Sequence, residues 1–282
     1  STARLLSILT NIVDIYPPKI HPQVIHNREG LSLTSSRIYG SLYAMSTFSL
    51  AQAPTRTISI HDPETSFIHS EAEDIVGGLS KPSKLPGWST SISAKRCHVG
   101  SALRKVKGST CEKCYACKGM YNFPNVVEAM ERRYNALFDP RWVAAMAFVI
   151  AKKCKKVSYF RWHDSGDLQS LSHLINIAEV ARLTPSVSHW LPTREYAIVR
   201  KYREMFGEFP ANLTVRISSA MLDSSAPSDF AITSEVATDS AAMDRSRARG
   251  GLACVAPTQD NECRNCRACW DRNVATVTYH KH

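Results

Sequence analysis

Nine cysteines limit what this chain can become more than any other feature. Eight form two groups of four, Cys97-x13-Cys111-x2-Cys114-x2-Cys117 and Cys254-x8-Cys263-x2-Cys266-x2-Cys269, while Cys154 stands apart in a lysine-rich stretch. A chain of 282 residues has ample material for a core and no need of a secreted disulfide framework. The tight C-x2-C steps suit a shared metal in a reducing compartment instead. Three thiolates, each separated by two residues, let one short loop wrap a corner of a cubane, and a fourth ligand comes from elsewhere. A single tetrahedral zinc does not readily take three ligands from seven consecutive residues. The expected cofactors are two [4Fe–4S] clusters, with zinc at one or both sites as the alternative.

Composition excludes other classes. With 44% hydrophobic and 21% charged residues the chain is neither disordered, collagen-like nor a coiled coil. No apolar run approaches the roughly 18–20 residues of a membrane span. The richest, residues 5–15, holds Asn11 and Asp14 and lacks the basic start and cleavage site of a signal peptide. A soluble, cytoplasmic protein without a membrane partner is expected, in the host cytoplasm if the chain is phage-encoded. The net charge of +10 is uneven: residues 1–80 carry −2 and the remainder +12. Such an excess fits phosphate-bearing partners, or offsets anionic thiolate–metal centres.

Residues 1–75 read as an extension packed on the main domain, with a helix over residues 5–13 ended by Pro17-Pro18 and a solvated acidic face at Asp62, Glu64, Glu71, Glu73 and Asp74. Residues 76–282 read as the iron–sulfur domain. Strands are expected at 88–93, 157–162, 187–191, 213–217 and 274–279, with helices at 124–138, 140–153, 168–183 and 195–206. Strands alternating with such helices indicate a parallel sheet. The expected fold class is α/β, a partial (β/α) barrel with cysteine-rich cluster loops after the first strand and near the C-terminus.

In parallel α/β proteins ligands bind at the carboxyl ends of the strands. Three such ends carry His163, Asp164, Ser165 and Asp167; Thr193, Arg194 and Glu195; and Arg216 and Ser218. Asp164, Asp167, Arg194 and Arg216 are candidates for positioning a substrate or cofactor, arginines suiting a carboxylate or phosphate. His163 is the candidate acid or base, because an unperturbed histidine titrates near neutrality. Ser165, Thr193, Glu195 and Ser218 complete the expected ligand-binding set. Asp164, Ser165 or Asp167 would equally serve as a helix cap, and Arg194 with Glu195 as a surface ion pair. No phosphate-loop, dinucleotide or nucleophile-elbow motif is present.

Several blocks in order resemble the bacteriophage gene product 88 domain family. They are residues 84–121 with Cys114-Tyr115-Ala116, the run from Phe160 to Asp167, His189-Trp190-Leu191-Pro192-Thr193-Arg194-Glu195, and Cys254 followed by Cys263, Cys266, Cys269 and Tyr279-His280. The resemblance covers residues 78–282 and implies a phage origin without an activity. More distantly, the Cys-Tyr-Ala loop, the Asp-rich second strand end and the Thr-Arg third strand resemble radical S-adenosylmethionine barrels. That likeness implies a cluster with one open iron and S-adenosylmethionine as a cofactor. The C-x2-C-x2-C spacing departs from the C-x3-C-x2-C of those enzymes, and Cys97 as a fourth ligand would close the open iron. The expected function is an iron–sulfur enzyme of radical or redox type with an unidentified substrate. The alternative is a non-catalytic protein stapled by clusters or zinc that binds nucleic acid or a host protein through Lys95, Arg96, Arg104, Lys105 and Lys107.

Overall fold

The structure is a computed structural model describing residues 67–281. The helix expected at 5–13 and the acidic residues Asp62 and Glu64 lie outside the described residues. Seven strands form one sheet: β1 (Trp88–Ser89), β2 (Tyr159–Arg161), β3 (Ser188–Thr193), β4 (Leu213–Ser218), β5 (Thr233–Ala237), β6 (Gly251–Ala253) and β7 (Thr276–His280). Their order is β1-β2-β3-β4-β5-β7-β6, every pair is parallel, and the sheet is open with β1 and β6 at its edges. The helices are α1 (His69–Val76), α2 (His98–Leu103), α3 (Pro124–Ala136), α4 (Trp142–Lys153), α5 (Leu171–Leu183), α6 (Tyr196–Phe206) and α7 (Ser240–Ala248). None of the described helices is long and apolar enough to cross a membrane.

Strand order dictates what covers each face. Parallel neighbours need crossovers, and these are right-handed almost without exception. From β1 to β5 each step goes the same way, so each connection belongs on the same face. Phe160, Trp162 and His189 point to that face: Trp142 of α4 stands 6.1 Å from Trp162, and His189 meets Thr184 at the end of α5. α4, α5 and α6 lie side by side, and α7 continues the layer through Ala242 and Met243 on Ala237. The chain then overshoots to β6 and steps back to β7. A right-handed return in that direction must run over the opposite face.

That return is residues 254–275, and it does cover the other face. Strand alternation points Arg161, Trp190, Thr214 and Arg216 there. Trp190 packs with Cys269, Trp270 and Val277. Trp270 donates its indole N–H to the Phe160 carbonyl (2.9 Å), and Thr214 donates to the Trp270 carbonyl (2.6 Å). Arg216 is fully buried, and its guanidinium donates to the carbonyls of Ala268, Cys269, Asp271, Val274, Ala275 and Thr233.

The helices and strands expected within the described residues are found, with shifted ends. Only Trp88–Ser89 of the first expected strand pairs, because the chain turns at once into a short 3-10 helix, Ala94–Arg96. Glu71, Glu73 and Asp74 lie on α1, which buries Ala72, Ile75 and Val76 and packs on α4. Absent from the sequence reading are α1, α2, β5, α7 and β6. Each is short, and α7 (SAAMDRSRA) buries only Ala242, Met243 and Ser246, which leaves a faint helical stripe.

Arg216→Met removes the guanidinium from five carbonyls of residues 268–275, of which Ala268, Asp271 and Ala275 keep a backbone donor. It should cost about 3 kcal/mol or more in equilibrium denaturation and open this segment to limited proteolysis. A loss below about 1 kcal/mol would show that packing and the bonds of Trp270 and Thr214 hold the tail without Arg216.

Candidate metal centres and the strand-end cluster

The first cysteine group lies in the β1–β2 crossover and lies across three strand ends. Ile92 N–H bonds to the Ser165 carbonyl after β2, the Tyr115 hydroxyl to the Asp164 carbonyl (2.8 Å), and Thr110 N–H to the Ala220 carbonyl after β4. Val99 N–H donates to Glu195 after β3 (3.0 Å). Gly100 of α2 permits the close approach of two sulfurs: a Cβ there would stand 3.0 Å from the Cys97 Cβ and within 4 Å of both the Cys97 and Cys111 sulfurs. Burial raises the Cys97 thiol, and the neighbouring Asp167, Cys111 and Cys114 raise it further. Burial likewise raises Cys114, which hydrogen-bonds Cys117. Arg104 donates to the Cys117 sulfur at 3.6 Å.

Cys254, Cys263, Cys266 and Cys269 line one cavity of about 20 Å³ together with Trp270 and Val277. Burial pushes the Cys269 thiol up to about 12 against the pull of Tyr279, whose hydroxyl lies 3.2 Å from its sulfur. All nine cysteines are free of disulfides, and Cys154 is buried at the end of α4, away from both groups. Among the described residues no three Cys, His, Asp or Glu side chains converge tightly enough for one metal ion. Two sets of neighbouring, largely half-buried thiols, of which burial raises Cys97, Cys114, Cys254, Cys263 and Cys269, are nevertheless donor sets that a cationic centre would stabilise as thiolates.

The predicted strand-end residues separate into three environments. Asp167 is buried and accepts from Leu168 N–H (2.8 Å), the Thr193 hydroxyl (2.6 Å) and Arg194 N–H (2.9 Å), which lock β2 to β3. Gly166 makes this geometry possible: its φ of +85° favours glycine, and a Cβ would meet Ile92 Cγ1 at 2.4 Å. Arg194 donates Nε–H to the Ser219 carbonyl, and Glu195 caps α2 one residue beyond Cys97. Asp167, Thr193, Arg194 and Glu195 thus meet the first cysteine group. Asp164 accepts from the Ser89 hydroxyl.

The other candidates stand elsewhere. His163 has a φ of +54°, packs edge-on against His173 at 5.3 Å, and leaves Nδ1 without a partner, as Ser165 leaves its hydroxyl. Burial, aided by His173 and Arg161, lowers its pKa well below the ordinary value, so it is neutral and not the near-neutral acid or base expected. Arg216 is committed to backbone carbonyls, and Ser218 pairs with Ser234 on the tail side. Neither joins Asp167, because alternation along β4 turns both toward residues 254–275. Arg161, outside the predicted set, alternates with Phe160 and Trp162 and lies over the Trp190 ring.

The sequence profile of the gene product 88 family matches residues 67–272. No curated protein and no solved structure matches the chain.

Burial first, then the charge of Asp167, pushes the Glu195 carboxyl up to about 7, although the N–H groups of Val99 and His98 pull it down. The folded state then keeps a proton that the unfolded chain releases near 4.5. Stability should be full below that pH and decline as pH rises toward 7, by on the order of 3 kcal/mol. Glu195→Gln should flatten this decline in thermal midpoints measured from pH 4.5 to 7; an unchanged slope assigns it to another group.

Proposed function

The chain belongs to the gene product 88 family, and we propose that it is a phage-encoded iron–sulfur protein of redox type. Cys97, Cys111, Cys114 and Cys117 would hold one [4Fe–4S] cluster, and Cys254, Cys263, Cys266 and Cys269 the other. The observation that carries this reading is that each cysteine run, residues 97–117 and residues 254–269, keeps its four sulfurs as neighbours. One lies over the strand ends, and the other lines a single cavity. A tetrahedral zinc with Zn–S bonds of about 2.3 Å needs its sulfurs about 3.8 Å apart. A cubane gives each thiolate its own iron and so fits donors that do not close on one point.

Such clusters supply one-electron transfer. The protein's part is to donate hydrogen bonds to sulfur from Arg104 and Tyr279 and to keep water from Cys269 with Trp190 and Trp270. Cys97 lying within the first group favours four-cysteine coordination, and so redox work over cleavage of S-adenosylmethionine, which needs an open iron. The one-sided helix layer supports reading the sheet as part of a (β/α) barrel, with a substrate beside Asp164, Asp167 and Arg194.

Anaerobically purified protein should be brown, with broad absorption at roughly 400 nm and iron and sulfide for two clusters. Cys114→Ser and Cys266→Ser should each remove about half the iron. Colourless protein carrying zinc overturns the reading.

A second reading, metal-stapled binding of nucleic acid, is favoured by one surface. Lys105, Lys107, Lys113 and Lys118 are exposed on the first cysteine loop, beside exposed Tyr115, Met120 and Phe123. Affinity for single-stranded DNA or RNA should then fall steeply between 50 and 200 mM salt, roughly tenfold or more; salt-independent binding counts against it.

A further inference from the structure

The arginines around the carboxyl end of the sheet are committed to the protein itself, with one exception. Arg104 is held by Ala94, Ser101 and Cys117; Arg133 by Gly78 and Ser91; Arg194 by Ser219; Arg216 by the tail carbonyls. Arg161, at the end of β2, donates no side-chain hydrogen bond and meets no carboxylate at ion-pair distance among the described residues. Its Nε is closed off from water without a partner, while the residue as a whole keeps a partial opening to solvent. Its guanidinium lies 4.5 Å over the Trp190 ring, which fixes the plane of the fork.

The surroundings place this cation between the two cysteine groups. Its charged and polar neighbours come from both: Asp164 and Tyr115, the latter between Cys114 and Cys117, and Tyr279 and Cys269 of the tail. Asp164 directs its carboxylate to the Ser89 hydroxyl instead. Burial opposes the Arg161 charge while Tyr115, Asp164, Tyr279 and Cys269 favour it; the Nε keeps no partner, and the planar donors match a carboxylate or phosphate in bidentate fashion.

We propose that Arg161 anchors the oxyanion of a small ligand, a carboxylate or a phosphate, in the space between the two cysteine groups. The site does not require the iron–sulfur reading, and metal content measured on the same samples separates failure of one from failure of the other.

The test titrates metal-loaded, anaerobically purified protein at constant ionic strength with sodium phosphate and, separately, sodium acetate, following thermal midpoint and tryptophan fluorescence. At least one probe should give a saturable rise, and the probe that does so identifies the group. Arg161→Lys keeps the charge but loses the fork and should weaken that binding at least tenfold; Arg161→Met should abolish it without lowering the midpoint of the ligand-free protein. No saturable response to either probe overturns the proposal, as does equal binding by Arg161→Lys. If Arg161→Met does not fold, the lysine comparison decides alone.

Discussion

The handedness of parallel crossovers governs this molecule. Six strands, β1 to β6, laid down in one direction commit α4, α5, α6 and α7 to one face. The single backward step, from β6 to β7, commits the second cysteine segment to the other. The tail is thus the second layer of the domain, with Trp270 and Val277 in the place that a helix fills in a doubly wound fold. Because the tail lacks regular structure across 259–275, its carbonyls need donors from the sheet, and Arg216 answers five of them.

The carboxyl end of the sheet is organised by buried acids. Asp167 and Glu195 each accept backbone N–H groups, and each is raised toward protonation by burial. Together they join β2, β3 and α2, so the segment that starts at Cys97 is positioned by the sheet rather than by its own loop. Gly100 and Gly166 serve the same end through close approach: one lets the Cys97 and Cys111 sulfurs meet over a helix, and the other lets the β2 loop press on Ile92.

Much of this was legible in the sequence. Cysteine spacing marks both groups, and period-3.6 and period-2 patterns mark the elements with strong stripes, such as α5 with Leu171, Leu174, Ile177 and Ala178. The polar strand ends were visible as a set, yet their division was not. Whether Arg216 faces Asp167 or the tail depends on the parity of β4 and on what covers that face, and the latter follows from β6, a three-residue strand with no periodic signal. The lowering of the His163 pKa was not legible for a related reason: part of it comes from His173 on α5 and not from neighbours in sequence.

The insertion of β7 between β5 and β6 also orders events in time. β6 has no partner in the sheet until the polypeptide has passed through all of 254–275 and laid β7 beside it. Until then Trp190 and Arg161 are uncovered and the β5 edge is open, a state prone to sticking to other chains. The segment that delivers β7 to the β5 edge is the one that carries the second sulfur quartet, so completing the sheet and gathering those sulfurs are one structural event.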